Sequence, residues 1–414
     1  MNKHRSRRSG FGDWLERRAC VPEFAGGMLM GMTFFFFLAA TNTLAGWLYA
    51  MSGVGLAIML IGGVLPARIL SNIQVERLPI DPVSAGDILT VELWLHNAGK
   101  QNKALLEIRD LLPKGITRIE SQSHVIESID IGDRYRWLYS ITTLQRGVFH
   151  FDRLELATAS PFGLFRSRRS QSVPRRAIVY PTVLPLSQCP LVDFIGKDDS
   201  PRLYSLENLH HSANEGITRT LRPYRWGDPI RLVHWRTSAR FGELRVRELE
   251  LTVGGQELVI ALDTQIGWRS PDFEEAVIAA ASLYFYAQRL NLNVRLWTAA
   301  SGLVHGNRVV LETLAAVQID ANPVEISDPS QLPPDLPQVW ITSQPHSLAE
   351  LPTGSRWLLW GGGSPSSAKF PGIRIDSIDK SDSGTDPSND KEASDLTYRH
   401  LQAQLQTQLA RTGN

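Results

Sequence analysis

The chain has 414 residues, of which 43 are Lys or Arg and 42 are Asp or Glu, giving a net charge of +1, and 43% are hydrophobic. So balanced a charge excludes a polyelectrolyte that binds nucleic acid through its overall field. Its two cysteines, Cys20 and Cys189, exclude a disulfide-stapled scaffold and any Cys-x-x-Cys metal site; they suit reduced thiols.

Residues 1–23 are a basic segment with Lys3, Arg5, Arg7, Arg8, Arg17 and Arg18. From Phe24 to Ala67 no Asp, Glu, Lys, Arg or His occurs. At about 1.5 Å rise per residue, that run is roughly twice the length needed to cross a hydrocarbon core of about 30 Å. A two-helix transmembrane hairpin over 24–70 is therefore expected. Its spans are Phe24–Ala40 and Leu44–Leu65, its turn is the polar cluster Thr41-Asn42-Thr43, and Trp47 and Tyr49 suit an interface beside the loop. Cations flank both outer ends, with Arg68 and Arg77 following the second span, and none sits in the loop. The soluble parts are thus expected to face the cytosol. Neither rival suits the sequence. A signal peptide would need a small-residue cleavage site before the second span, and a buried soluble hairpin would need a solvated face.

The remainder is long enough for about two domains. Residues 73–182 read as a β-sandwich, because alternating runs recur between turn signals. Leu89–Leu95 stops at Asn97-Ala98-Gly99, and Leu105–Ile108, Arg136–Ile141 and Leu154–Ala157 repeat the pattern. Pro113-Lys114-Gly115 and Arg146-Gly147 punctuate it. No cluster of His, Cys or carboxylates accompanies these strands, so a structural or protein-binding module is expected. A proline-rich passage from Pro174 to Pro201 follows; Pro181, Pro185 and Pro190 are expected to exclude regular helix, and 183–215 reads as a linker.

The densest chemistry lies between Arg222 and Arg247. Seven arginines, Arg222, Arg225, Arg231, Arg236, Arg240, Arg245 and Arg247, are interleaved with Tyr224, Trp226 and Trp235. An arginine beside an aromatic can stack on the ring while its fork grips carboxylate or phosphate. A nucleic-acid patch is one alternative, but Asp228, Glu243, Glu248 and Glu250 sit among the cations and cancel much of their field. An enzyme site pairing His234 with Asp228 is a second, although their spacing fixes no geometry. The third, an internal ion-pair and stacking network or a docking surface for an acidic partner, needs only what is visible.

The run Arg222-Pro223-Tyr224-Arg225-Trp226-Gly227-Asp228, followed by Arg231, His234-Trp235-Arg236, Ser238-Ala239-Arg240 and Glu243-Leu244-Arg245-Val246-Arg247-Glu248, resembles the signature of the bacterial family called domain of unknown function 58. Arg146-Gly147-Val148-Phe149 and Ser160-Pro161-Phe162-Gly163-Leu164-Phe165 are similar to that family's preceding β segment, and the apolar hairpin is similar to its usual amino terminus. The resemblance implies a membrane-anchored protein whose last domain is similar to von Willebrand factor type A modules. It also implies a MoxR-type AAA+ ATPase as partner, and a transglutaminase-like membrane protein as a second associate. It makes Arg222, Tyr224, Gly227, Asp228, Arg231, His234, Trp235, Arg240 and Arg245 the signature or partner-binding residues.

The residues that follow predict a doubly wound α/β domain within 216–362. Glu257–Leu262 reads as a strand buried on both faces and ends at Asp263; Asp272–Leu290 carries a helical apolar pattern behind Pro271. Val294–Thr298, Val339–Thr342 and Arg356–Trp360 read as further strands, with Val309–Val317 as a helix. Ligands in such folds gather at the carboxyl ends of strands, where Asp263 lies. A hard cation such as Mg²⁺ needs several oxygen ligands there. The type A module's Asp-x-Ser-x-Ser has become Asp263-Thr264-Gln265-Ile266-Gly267, and Thr342-Ser343-Gln344 adds no carboxylate. No cofactor is expected, and Asp263 is a remnant of a metal site, expected instead to cap a turn or to pair with an arginine. Residues 363–414 read as a flexible tail rich in Ser, Asp and Lys, with a short helix over Tyr398–Ala410 bearing Leu401, Leu405 and Leu409.

Together these features predict a membrane-tethered, non-enzymatic scaffold. An anion-handling enzyme or sensor built on Arg222, Arg231, His234 and Arg240 is the alternative, and a metal-dependent adhesion module is a third.

Overall fold

The computed structural model describes residues 20–195, 217–223, 233–250, 257–265, 267–319, 332, 336–361, 368–376 and 390–407. The chain divides into two compact units, Met1–Thr182 with Leu314–Ala316, and Val183–Thr313 with Val317–Asn414.

In the first unit a two-residue strand, β1 (Val21–Pro22), leads into helices α1 (Phe24–Thr43) and α2 (Gly46–Ile69). Both helices are long and apolar enough to cross a membrane. Their large apolar side chains are mostly exposed, as at Phe34, Phe35 and Leu60, whereas a helix inside a soluble core would cover them. The turn falls later than the sequence predicts, because Thr41, Asn42 and Thr43 remain helical. The hydroxyls of Thr41 and Thr43 donate back to the Leu38 and Ala39 carbonyls at 2.8 and 2.7 Å, which removes the polar groups that would have favoured a break. Leu44, at φ 52°, makes the turn instead.

Nine strands follow the membrane-competent helices or precede them in pairing: β2 (Ile73–Arg77), β3 (Val83–Ser84), β4 (Ile88–Asn97), β5 (Lys103–Leu111), β6 (Ser121–Ile129), β7 (Arg134–Thr142), β8 (Gly147–Thr158) and β9 (Phe165–Tyr180), together with β1. They form one sheet in the order β1-β9-β8-β5-β6, with β3 also on β9, and a second in the order β2-β4-β7. Leu93, Leu95 and Trp137 of the smaller sheet share a buried cluster with Ile108, Ile126, Leu154 and Leu156 of the larger. A second cluster joins Leu89, Val91 and Ile141 to Phe149, Phe151 and Val179. The four runs anticipated as strands lie in β4, β5, β7 and β8. Strand β9 contains Pro174, where the sequence began a proline-rich passage. The register slips between Phe151 and Arg153 opposite it, and such a bulge spares proline the ladder bond that it cannot donate.

Between these sheets lies a polar group that sequence did not reveal. Arg77 of β2 and Asp110 of β5 are both fully buried, with Nη2 donating to Oδ1 at 2.6 Å. Tyr139 of β7 donates its hydroxyl to Asp110 Oδ2 at 2.6 Å. The other Arg77 nitrogen, Nη1, donates to the Val173 carbonyl at 2.8 Å, and the guanidinium lies 5.0 Å from the Phe151 ring centroid. Burial pushes the Asp110 carboxyl above its ordinary range, against the opposing pull of Arg77 and Tyr139.

The second unit begins in the expected linker, but 183–195 is packed. Leu184, Leu186, Cys189, Leu191, Val192 and Ile195 are buried, and Pro190 opens one helical turn, α3 (Pro190–Asp193), where its missing N–H costs nothing. Burial drives the Cys189 thiol up to about 12. A two-stranded antiparallel pair, β10 (Ile217–Pro223) and β11 (Arg245–Glu250), brackets the short helix α4 (Trp235–Phe241).

The central sheet is built from β12 (Glu257–Leu262), helix α5 (Ser270–Arg289), β13 (Asn293–Thr298), β14 (Gly302–Val304), helix α6 (Asn307–Ala316), β15 (Gln338–Thr342), β16 (Arg356–Trp360) and β17 (Gly372–Ile375). Its order is β14-β13-β12-β15-β16-β17, parallel throughout except for β14. Val259, Ala261, Trp297, Trp340, Trp357 and Leu359 form one buried cluster, and α5 packs against β12, β13 and β15. The domain does not stop at 362 as expected. Strand β17 pairs with β16, and α7 (Asp390–Leu405) packs against β17 and α5. The predicted flexible tail is thus corrected at 372–375 and 390–405: Leu401 and Leu405 are buried, and Gln402 Nε2 donates to the Pro185 carbonyl at 2.6 Å. The helix also begins earlier than Tyr398, and Leu409 lies outside the described residues.

Candidate functional site

Two places gather the residues to which chemistry was assigned. The first is the carboxyl end of β12 and β15. Asp263, 2% exposed, follows the last residue of β12. Its Oδ1 accepts the Gln265 N–H at 3.0 Å, and its Oδ2 accepts the Thr342 hydroxyl at 2.7 Å. Trp268 Nε1 donates to the Asp263 carbonyl at 2.9 Å. Thr342, fully buried, also accepts the Gln344 N–H at 2.9 Å. Gly267, at φ 135°, brings the first loop near the second, so that a Cβ there would sit 3.5 Å from Ser343 Oγ. Two parallel strands thus juxtapose residues 79 apart, and the carboxylate is turned inward to hold the two loops together. Through Oδ1, Asp263 caps the turn at Gln265. Among the described residues no group of three or more His, Cys, Asp or Glu is arranged to hold a metal.

The second place is the signature. Of its residues, Tyr224, Gly227, Asp228 and Arg231 lie outside the described residues. Arg222 pairs with Val246 across β10 and β11. His234 stands at the amino end of α4, where Nδ1 accepts the Thr237 N–H at 3.2 Å and lies 2.7 Å from the Thr237 hydroxyl. A histidine can cap a helix in this way only through an unprotonated ring nitrogen. The His234 main chain is fixed too, its N–H donating to the Arg245 carbonyl at 2.8 Å. Ser238, buried, links both: its hydroxyl donates to the His234 carbonyl at 3.0 Å and accepts the Arg245 N–H at 2.9 Å. Arg245 pairs with Glu243 at 2.7 Å and lies 4.4 Å from the Phe241 ring centroid. Much of the signature's regularity is therefore local: it closes one helical turn onto one strand. Trp235 and Arg240 are left facing outward, with Trp235 62% and Phe241 58% exposed and Leu244 and Arg236 also at the surface.

Sequence reasoning missed Arg77, Asp110 and Tyr139, whose partners lie 33 and 29 residues apart. The one available signal was a charged residue at an inward position of the alternating run Lys103–Leu111.

No protein-family model matches the chain. An uncharacterised protein of Bacillus subtilis (strain 168), YeaD, is 25% identical over 232 residues, which cover 55% of this chain and 56% of YeaD. The match thus spans just over half the length of that curated relative. Among solved structures, the CARDB domain of PF1109 from Pyrococcus furiosus aligns with 25% of this chain and 94% of its own, at 16% identity and a TM-score of 0.17. A beta-glucosidase from Listeria innocua aligns with 27% of this chain and 17% of its own, at 13% identity and a TM-score of 0.18. Likenesses this distant bear on neither fold nor function.

Proposed function

We propose that this chain is a membrane-anchored, non-enzymatic scaffold, with α1 and α2 as a hairpin in the bacterial inner membrane and both units on the cytosolic side. The two facing sheets serve as a β-sandwich spacer. The second unit, with its parallel order and buried β12, serves as a degenerate von Willebrand type A-like domain of doubly wound design. The resemblance of the signature to domain of unknown function 58 supports this, as does the inward use of the Asp263 carboxylate, which ties Gln265 to Thr342.

The observation that carries the proposal is the outer surface of α4. Trp235, Phe241 and Leu244 are exposed beside Arg236 and Arg240. Exposed aromatics with arginine are the composition of interface hot spots, and the buried Ser238, bonded to the His234 carbonyl and the Arg245 N–H, ties the helix beneath to its strand. Its partner is proposed to be a MoxR-type AAA+ ATPase presenting an acidic face, with a transglutaminase-like membrane protein as a further associate. The test is co-purification of the full chain in detergent with the neighbouring ATPase, with ATP, with ADP and without nucleotide. Binding that Trp235→Ala weakens at least about tenfold is the expected result; no association in any nucleotide state overturns the proposal. The Thr237 donors that occupy His234 Nδ1 count against the anion-handling alternative.

A further inference from the structure

We infer that the first unit carries a binding site for the headgroup of an anionic phospholipid, formed by Arg109, Arg166 and Arg168 where the sheet meets the ends of α1 and α2. This rests on the proposal above that the two helices cross a membrane.

The position comes first. Helix α1 starts at Phe24 and α2 finishes at Ile69, so the same end of the hairpin carries both outer termini. There the sheet is fastened to the helices. Strand β1 pairs with Phe165 and Arg166 of β9, and the Glu23 N–H donates to the Leu164 carbonyl at 2.9 Å. In the first turn of α1 a Cβ on Gly26 would lie 2.0 Å from the Leu164 oxygen, so only glycine permits this approach. On α2, a Cβ on Gly62 would lie 3.3 Å from the Phe165 ring and 3.7 Å from that of Phe162. Gly62 is about 10 Å along the helix from Ile69 at 1.5 Å per residue. The loop before β9 therefore reaches past the helix end to the depth of the headgroup layer, and Phe162 at its tip is 52% exposed. An exposed aromatic at that level is at home in a membrane interface.

Arginines gather at the same level, among carboxylates. Arg109, Arg166 and Arg168, each between a third and two-fifths exposed, line a cavity of about 330 Å³ with Val21, Pro22 and Glu23, next to the first residue of α1. Their carboxylate neighbours are Glu107, which meets Arg109 at 3.4 Å and also pairs with Arg166, Glu23, 3.7 Å from Arg166, and Glu155, 3.9 Å from Arg168. Each guanidinium has five donors, so the one or two carboxylate contacts of Arg109 and of Arg166 orient their forks and leave N–H groups for phosphate oxygens, and Arg168 adds its charge beside them. At the carboxyl end of α2, Arg68 is exposed, Arg169 donates to the Leu70 carbonyl at 3.4 Å, and the buried Lys103 donates to the Arg68 carbonyl at 3.4 Å. These three add positive charge at the end of the helix. A phosphodiester with a net negative charge, held at the interface by its acyl chains, matches the pocket in charge and in depth.

The experiment uses the full chain in neutral detergent and follows thermal unfolding during titration with dioctanoyl phosphatidylglycerol, dioctanoyl phosphatidylcholine or inorganic phosphate. Phosphatidylglycerol is expected to raise Tm saturably, with phosphatidylcholine and phosphate giving no such shift at equal concentration. Arg109→Gln/Arg166→Gln/Arg168→Gln is expected to need at least about tenfold more phosphatidylglycerol, one tenfold step being about 1.4 kcal/mol. Arg153→Gln/Arg176→Gln, at exposed positions farther along the sheet, is expected to respond like the parent. Where the triple variant fails to fold, Arg109→Gln alone is titrated, and an unchanged midpoint counts against the site. Equal stabilisation by both lipids, or by phosphate, overturns the inference. Alkaline carbonate extraction of native membranes separates the two claims: a chain released by carbonate refutes the membrane anchor itself, whereas a retained chain indifferent to headgroup refutes the site alone.

Discussion

Asp110 in the first unit and Asp263 in the second are both buried, and they are satisfied in opposite ways. Asp110 is sealed between two sheets against a full cation, Arg77, and a phenol, Tyr139. Asp263 sits at the end of a sheet and is met by a hydroxyl and a main-chain amide from the loops that it joins. The first arrangement makes each partner indispensable to the other, because either charge alone would be stranded in a low-dielectric interior. The second distributes the carboxylate over small neutral donors, so that losing one leaves the others in place. A buried ion pair thus fixes how two sheets face each other, while a buried capping aspartate fixes the shape of two loops.

Breaking the first arrangement should have the largest effect. Arg77→Met leaves Asp110 buried without its cation and should cost the first unit about 3–5 kcal/mol, whereas Arg77→Met/Asp110→Leu should restore most of it. Denaturant unfolding of the full chain in detergent, with the two units' transitions resolved, checks this, and equal losses in the single and double variants would refute it. The pH sign follows from the raised Asp110 pKa. A carboxyl whose folded pKa lies above its unfolded value contributes stability that is complete below the unfolded pKa and is lost as pH rises through the folded one. The deficit of Arg77→Met should therefore grow from acid to neutral pH, and a flat deficit would point to packing instead. An intermediate effect is expected at the second centre: Thr342→Val removes the donor to Asp263 Oδ2 and should cost the second unit about 2 kcal/mol. That loss should leave the first unit's transition unmoved. Cys189, held near a pKa of about 12 by burial, reports on the same unit, since its alkylation at neutral pH should accompany unfolding of that unit.

The smallest effect sharpens the contrast from the surface. Arg136 donates to Glu92 through Nε and Nη2 at 2.7 and 3.0 Å, and this bond, helped by Trp94 Nε1, holds the Glu92 carboxyl below its ordinary range. The sign is opposite to that of Asp110: the contribution is present above the unfolded pKa and disappears as pH falls through the folded one. Glu92→Gln should therefore differ from the parent only on the neutral side of the acid transition. Added salt should erase even that difference, since exposed pairs are screened; a salt-independent difference would mean that the pair is not acting as a surface ion pair.

Legibility followed the strength of local pattern. Leu89–Leu95 alternates cleanly and lies in β4, and Leu258–Leu262, continuously apolar behind Glu257, makes up the rest of β12. Strand β9 was less visible because Arg166, Arg168, Arg169, Arg175 and Arg176 crowd its middle and Pro174 interrupts it. Its identity comes from pairing with β8, not from its own residues. Strand β17 was hidden for a related reason. Gly372–Ile375 is four residues long and follows a Gly- and Ser-rich stretch, and it is held by the neighbouring strand β16. At the candidate site, Asp263 at the end of its strand could be read directly, but the hydroxyl that it meets could not. Thr342 reaches Asp263 because two parallel strands end side by side.

By itself the sequence determined that two long apolar helices stand near the amino terminus, that sheet-rich units follow, and that arginine and tryptophan concentrate between Arg222 and Arg247. Each is a property of composition or short-range periodicity, which solvent exclusion and backbone geometry act on locally. Only the tertiary structure decided that Arg77 meets Asp110, that Asp263 is spent on Thr342, and that the loop bearing Phe162 wedges between Gly26 and Gly62. These contacts join residues 33, 79 and about a hundred or more positions apart, and no local pattern encodes a partner at that range, because the choice is made when sheets and helices pack.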